Sequence, residues 1–143
     1  MNKRKKKLFF YILVISMLYL LYLTSQWHIL PYNIKQIDIY KATSFEIDNI
    51  NDNNLVVSLK GKSIKTVTSS INAAGKMQGQ MDVRFPDYIV NVVYKNGTVK
   101  TSYLWLDDSD GKGMWMNSTD TGTGYSISNT QKLQKIILQT KYM

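Results

Sequence analysis

The chain has 143 residues, single-domain length, and its 44% hydrophobic and 20% charged content is that of a folded protein. It holds no cysteine, which excludes disulfides, thiolate metal sites, thiol nucleophiles and a lipid carried on a cysteine. The formal charge of +8 is no nucleic-acid signature: Lys3, Arg4, Lys5, Lys6 and Lys7 supply five of the eighteen basic residues, leaving thirteen bases against ten acids elsewhere.

Behind that basic cluster, Leu8 to Thr24 runs without a charge, a glycine or a proline. As a helix it is ~25 Å long, slightly short of a bilayer core, and Tyr19, Tyr22 and Trp27 suit the interface beyond it. A cleaved signal peptide is disfavoured, because Gln26 and Trp27 stand where small residues are wanted. The expected organisation is a cytoplasmic tail over 1–7, a transmembrane anchor over 8–27 contacting membrane lipid, a connector over 28–33, and an extracytoplasmic domain over 34–143. Lys3, Arg4, Lys5, Lys6, Lys7 and Trp27 are the anchoring residues, with the N-terminus cytoplasmic by the positive-inside rule.

Past Pro31, Ile34 to Ala42 alternates as a strand, and Leu55 to Lys60 is a second, after an Asn- and Asp-rich loop. Ser63 to Ala74 places Ile64, Val67, Ile71 and Ala74 at helical spacing, with Gly75 as terminator. Gly75 to Pro86 reads as a loop. Asp87 to Leu106 holds two alternating strands around Asn96-Gly97, which suits a two-residue type I′ turn. That turn pairs Tyr88 with Trp105, Val90 with Tyr103, Val92 with Thr101 and Tyr94 with Val99, and this face is expected to be core. A strand is expected around Met114 to Asn117, a turn over Thr119 to Gly124, and a short strand over Tyr125 to Ile127. Ser128 and Gln131 form a capping box before a final helix bearing Leu133, Ile136, Ile137 and Thr140 on one side. The order β-β-α-β-β-β-β-α predicts an α+β fold: after the transmembrane helix, an antiparallel sheet of five to six strands with two helices on one face.

Leu104-Trp105, Met116-Asn117, Asp120-Thr121 and Tyr125-Ser126-Ile127-Ser128, with Phe85-Pro86-Asp87-Tyr88 upstream, resemble the YhfM-like domain of Gram-positive bacilli over roughly residues 35 to 140. The resemblance implies a small exported or lipid-anchored protein of a family with no assigned activity. It also implies a cysteine after the signal, absent here, and a histidine where Gly122 stands.

Sites for common chemistries are scarce. His28 is the only histidine and lies at the membrane boundary, so neither a catalytic triad nor a histidine zinc site is expected. Asp107, Asp108 and Asp110 before Gly111 suggest calcium, but the EF-hand spacing fails. Glu46 is the sole glutamate, so paired carboxylates for hydrolysis are poorly supplied. Trp105, Met114, Trp115, Met116 and Tyr125 are candidate lining for a partner groove, with Tyr103 and Trp105 otherwise core. The expected function is a non-catalytic interaction module, without a cofactor, that binds an envelope protein, a peptide or a cell-wall component. The alternative is a calcium-dependent or acidic-residue envelope hydrolase.

Overall fold

A computed structural model describes residues 3–27, 29–78, 83–106, 111–128 and 130–139. Its elements are α1 (Lys3–Trp27), β1 (Ile34–Lys41), β2 (Leu55–Leu59), α2 (Lys62–Asn72), β3 (Gly75–Lys76), β4 (Tyr88–Tyr94), β5 (Val99–Leu106), β6 (Gly113–Asn117), β7 (Asp120–Ile127) and α3 (Thr130–Gln139). The strands form one antiparallel sheet of seven in the order β2-β1-β4-β5-β6-β7-β3. The α+β class is as expected, with α2 and α3 packed into one core. Two differences account for the larger sheet. Residues 75–76, read as loop, pair with Ser126 and Tyr125 of β7. β7 itself starts at Asp120, inside the segment read as a turn, because Thr119 N–H is held by the Asn117 side chain and the reversal is complete by Asp120.

The β4–β5 hairpin departs from the expected pairing by one residue. Tyr94 N–H donates to the Thr98 carbonyl at 2.8 Å, and Gly97 N–H returns to the Tyr94 carbonyl at 3.0 Å. Lys95, Asn96 and Gly97 therefore make a three-residue loop, with Gly97 alone in the left-handed region at φ +87°. A type I′ turn needs positive φ at both central residues, but Asn96 uses its side chain to accept from Thr98 N–H instead. Tyr88 consequently faces Leu104, Ile89 faces Tyr103 and Val92 faces Lys100. A one-residue slip turns every β5 side chain to the opposite face.

Both sheet faces are buried as a result. Beneath α2 and α3, Ile37, Ile39, Val90, Val92, Leu104, Leu106, Trp115 and Ile127 pack with Ile64, Val67, Leu133 and Ile137. On the other face Ile89, Tyr103, Trp105, Met114 and Met116 lie under Phe45, Ile47, Ile50, Met77 and Val83. Phe45 anchors that cover: its ring is 5.5 Å from Tyr103 and 6.4 Å from Trp105, and its carbonyl accepts from the Tyr103 hydroxyl at 2.9 Å. Tyr103 and Trp105 are core, as expected, but on the face opposite the helices.

Asp87 holds the approach to β4. Its carboxylate takes both Arg84 guanidinium nitrogens at 2.8 and 3.0 Å and the Leu106 N–H at 2.8 Å. Partial burial pushes this carboxyl up, but the Arg84 fork, the Leu106 N–H and the charge of Lys41 outweigh it and hold it below its ordinary value. At Gly113 a Cβ would lie 2.6 Å from the Trp105 carbonyl and 2.7 Å from Thr130 Cγ2, so α3 can start against β6 only over a glycine.

α3 is described from Thr130; Asn129 and Thr140 lie outside the described residues, and with Asn129 the start of the expected Ser128–Gln131 capping box. At the other end of the chain, α1 exposes thirteen large apolar side chains between Leu8 and Leu21. Among the described residues no helix is long and apolar enough to cross a membrane, so the fold does not support the expected span. The α1 side chains described run from 4 to 21, and Arg4 to Lys7 place four cations among them.

Candidate functional site

The helices are shorter than the sheet they cover. Eleven residues of α2 extend ~16 Å, whereas eight residues of β5 extend ~26 Å. Part of the helix-side face is left open beside Ile71 and Asn72, the last residues of α2. There a cleft of about 550 Å³ lies over Val92, Ser102 and Trp115, bounded by Ile71 and Asn72 of α2 and by Ile29. Val92, Ser102 and Trp115 are buried, and Val92 and Trp115 give the floor an apolar character.

Polar groups gather at its rim. Lys76 comes from β3, Tyr94 and Lys100 from the β4–β5 hairpin, and Asn117, Asp120 and Tyr125 from the β6–β7 hairpin. Lys76, Lys100 and Asp120 are exposed. Lys100 Nζ stands 5.8 Å from the centre of the Tyr94 ring. Burial raises the Tyr94 phenol above its ordinary value, and burial followed by the negative charge of Asp120 does the same for Tyr125. Both phenols therefore keep their O–H, able to donate, to more alkaline pH than an ordinary tyrosine. The cleft combines an apolar floor, two cations, one carboxylate and two phenol donors, an arrangement that can seat an amphipathic anion.

The wall nearest the N-terminus is fixed by a paired contact. Asn72 Oδ1 accepts from Ile29 N–H at 2.8 Å, and Asn72 Nδ2 donates to the Ile29 carbonyl at 2.9 Å. The 3-10 turn Pro31–Asn33 then leads directly into β1.

The five aromatic and methionine candidates are not brought together. Trp115 and Tyr125 line this cleft, whereas Trp105 and Met114 border a smaller hollow of about 340 Å³ across the sheet. Met116 is 1% exposed within the second core. Strand alternation explains the division, since neighbours along β6 point to opposite faces. Asp107, Asp108 and Asp110 lie outside the described residues, and no group of three metal-ligating side chains occurs among the described ones. Arg4, Lys5, Lys6 and Lys7 are exposed on α1; the side chains of Lys3 and Trp27 are not among those described. Sequence reading missed Lys76, Ser102, Lys100 and Asp120. Under the unslipped register Ser102 and Lys100 fell on the face not read as core, and only correct pairing puts them beside Val92 and Trp115.

The family model described as YhfM protein matches residues 33–142. A comparison with curated proteins finds no match. Among solved structures, a thioesterase-like protein from Clostridium sporogenes ATCC 15579 is similar, with a TM-score of 0.50 and 18% identity, over 73% of this chain and 93% of that one. That likeness of fold overturns the expectation of a domain without enzyme activity: the architecture is shared with a thioesterase-like protein, so a scarcity of histidine, cysteine and glutamate is no ground for excluding catalysis.

Proposed function

The chain belongs to the YhfM family, and from that premise we propose that it is a membrane-tethered, extracytoplasmic binding domain whose ligand enters the cleft beside the anchor. The observation that carries the reading is the exposure of α1. Leu8, Phe9, Phe10, Ile12, Leu13, Ile15 and Leu18 are all more than half exposed on different sides of one helix, and a helix apolar all round requires an apolar surrounding. The basic residues at its start orient it with the N-terminus in the cytoplasm. A tether confines the domain to a thin layer above the bilayer and raises its effective concentration for ligands found there, including envelope proteins, peptides and wall components. Membrane fractionation with alkaline washing, combined with protease added to intact protoplasts, tests it. The domain should stay with the membrane and be digested from outside; protection from the protease, or release by the wash, would refute the proposal.

A second reading, hydrolysis of an acyl ester or thioester in the same cleft, is favoured by Asp120, the only carboxylate among the described residues lining it. Placed beside the Tyr125 hydroxyl, Asp120 is the candidate base for an attacking water. This reading moves the acidic-residue alternative from the Asp107–Asp110 loop to Asp120. Asp120→Asn should then abolish acyl-thioester turnover without altering the melting temperature, and turnover unchanged in that variant would remove the reading.

A further inference from the structure

We infer that the occupant of the cleft is a single-chain carboxylate amphiphile, a long-chain fatty acid taken from the leaflet that α1 enters. The inference rests on the tether proposed above and names the ligand of the same cleft.

The floor and the rim demand different halves of one molecule. Ile29 and Ala74 are half-buried apolar residues at the cleft wall, and with the edges of Ile71, Val92 and Trp115 behind them they give it the apolar character an alkyl chain needs. Lys76 and Lys100 set two positive charges at the rim against the single negative charge of Asp120, so the rim is complemented by a monoanion. Tyr94 and Tyr125 add two tyrosines to the same lining. A volume of about 550 Å³ lies within the small-molecule range of roughly 300–1,000 Å³, which suits one chain better than a diacyl lipid.

Position identifies the source. Ile29 is two residues beyond the last residue of α1, so the cleft wall lies within ~7 Å of the helix end. Asn72 grips both backbone groups of Ile29 and so fixes this wall of the cleft. An amphiphile from the interface would then set its carboxylate at Lys76 and Lys100 and its chain along the apolar side of the cleft at Ile29 and Ala74.

The test uses the full chain in phosphatidylcholine vesicles carrying a photoactivatable fatty acid, with adducts mapped by peptide mass spectrometry. Adducts are expected on α1, from general lipid contact, and also on the cleft around Val92 and Trp115. Lys76→Glu with Lys100→Glu, both at exposed positions, should lower cleft labelling relative to α1 labelling by about tenfold. Ala74→Trp, which fills the cleft from the α2 side, should abolish it, with a melting curve showing that the variant is folded. Labelling of α1 alone, or equal cleft labelling by the matching uncharged photoactivatable alcohol, would overturn the inference. Cleft labelling of a chain that fails to float with the vesicles would overturn the tether and the leaflet source, and would uphold the carboxylate ligand.

Discussion

Thr130 is fully buried at the start of α3, and its hydroxyl is the one buried side-chain polar atom among the described residues without a hydrogen-bond partner. Its methyl group, by contrast, is in close contact with Gly113. Thr130→Val keeps that shape and removes an unsatisfied oxygen, so thermal or denaturant unfolding should find the variant more stable by ~1 kcal/mol. Asp87 behaves in the opposite way, since its charge is the useful form. Because its folded-state carboxyl is held below the unfolded value, its contribution is present above the unfolded pKa of about 4 and is lost as pH falls through the folded value. Asp87→Asn should therefore lower the melting temperature near neutral pH, and the gap to the parent protein should close as pH drops from the unfolded value of about 4 through the lower folded value. A gap that stays constant with pH would mean that geometry rather than charge holds the Arg84–Asp87–Leu106 junction.

At the level of elements, the β4–β5 hairpin shows what three loop residues decide. Asn96-Gly97 was legible as a turn, and the strands on both sides were legible from alternation. Their register was not, because the same dipeptide serves a two-residue turn and a three-residue loop closed by a left-handed glycine. Which one forms depends on burial: the observed pairing puts Leu104 and Leu106 under the helices and Tyr103 and Trp105 against Phe45, so both faces of β5 are used. Gly97→Ala introduces a side chain at φ +87° and should destabilise the domain by on the order of 1 kcal/mol while leaving the 88–104 pairing intact. Interstrand contacts in nuclear magnetic resonance spectra would check the pairing. A shift to the 88–105 pairing in the variant would mean that the loop, not the two cores, sets the register. α2 was legible nearly to its ends, because Ile64, Val67 and Ile71 mark its buried stripe by spacing alone.

For the molecule as a whole, the paired contact of Asn72 with Ile29 ties the segment ahead of β1 to the end of α2. Asn72→Ala removes both hydrogen bonds to Ile29 and should cost about 1–2 kcal/mol, with faster hydrogen exchange at the Ile29 amide than at amides within β4. Unchanged exchange at Ile29 would show that the connector is held by other contacts. Candidate site residues were only half legible in the sequence. Trp115 and Tyr125 stood out as aromatics, whereas Lys76, Lys100, Ser102 and Asp120 look like ordinary strand and turn residues until distant segments converge. The sequence by itself determined the apolar character of α1, the lack of thiol chemistry, the α+β class and the positions of most elements, because these follow from composition and from periods of two and 3.6 residues within short windows. Only the tertiary structure decided the register of β5, the burial of both sheet faces and the presence of a cleft. These depend on pairings between strands far apart in the chain and on where α2 ends over the sheet, neither of which leaves a local pattern.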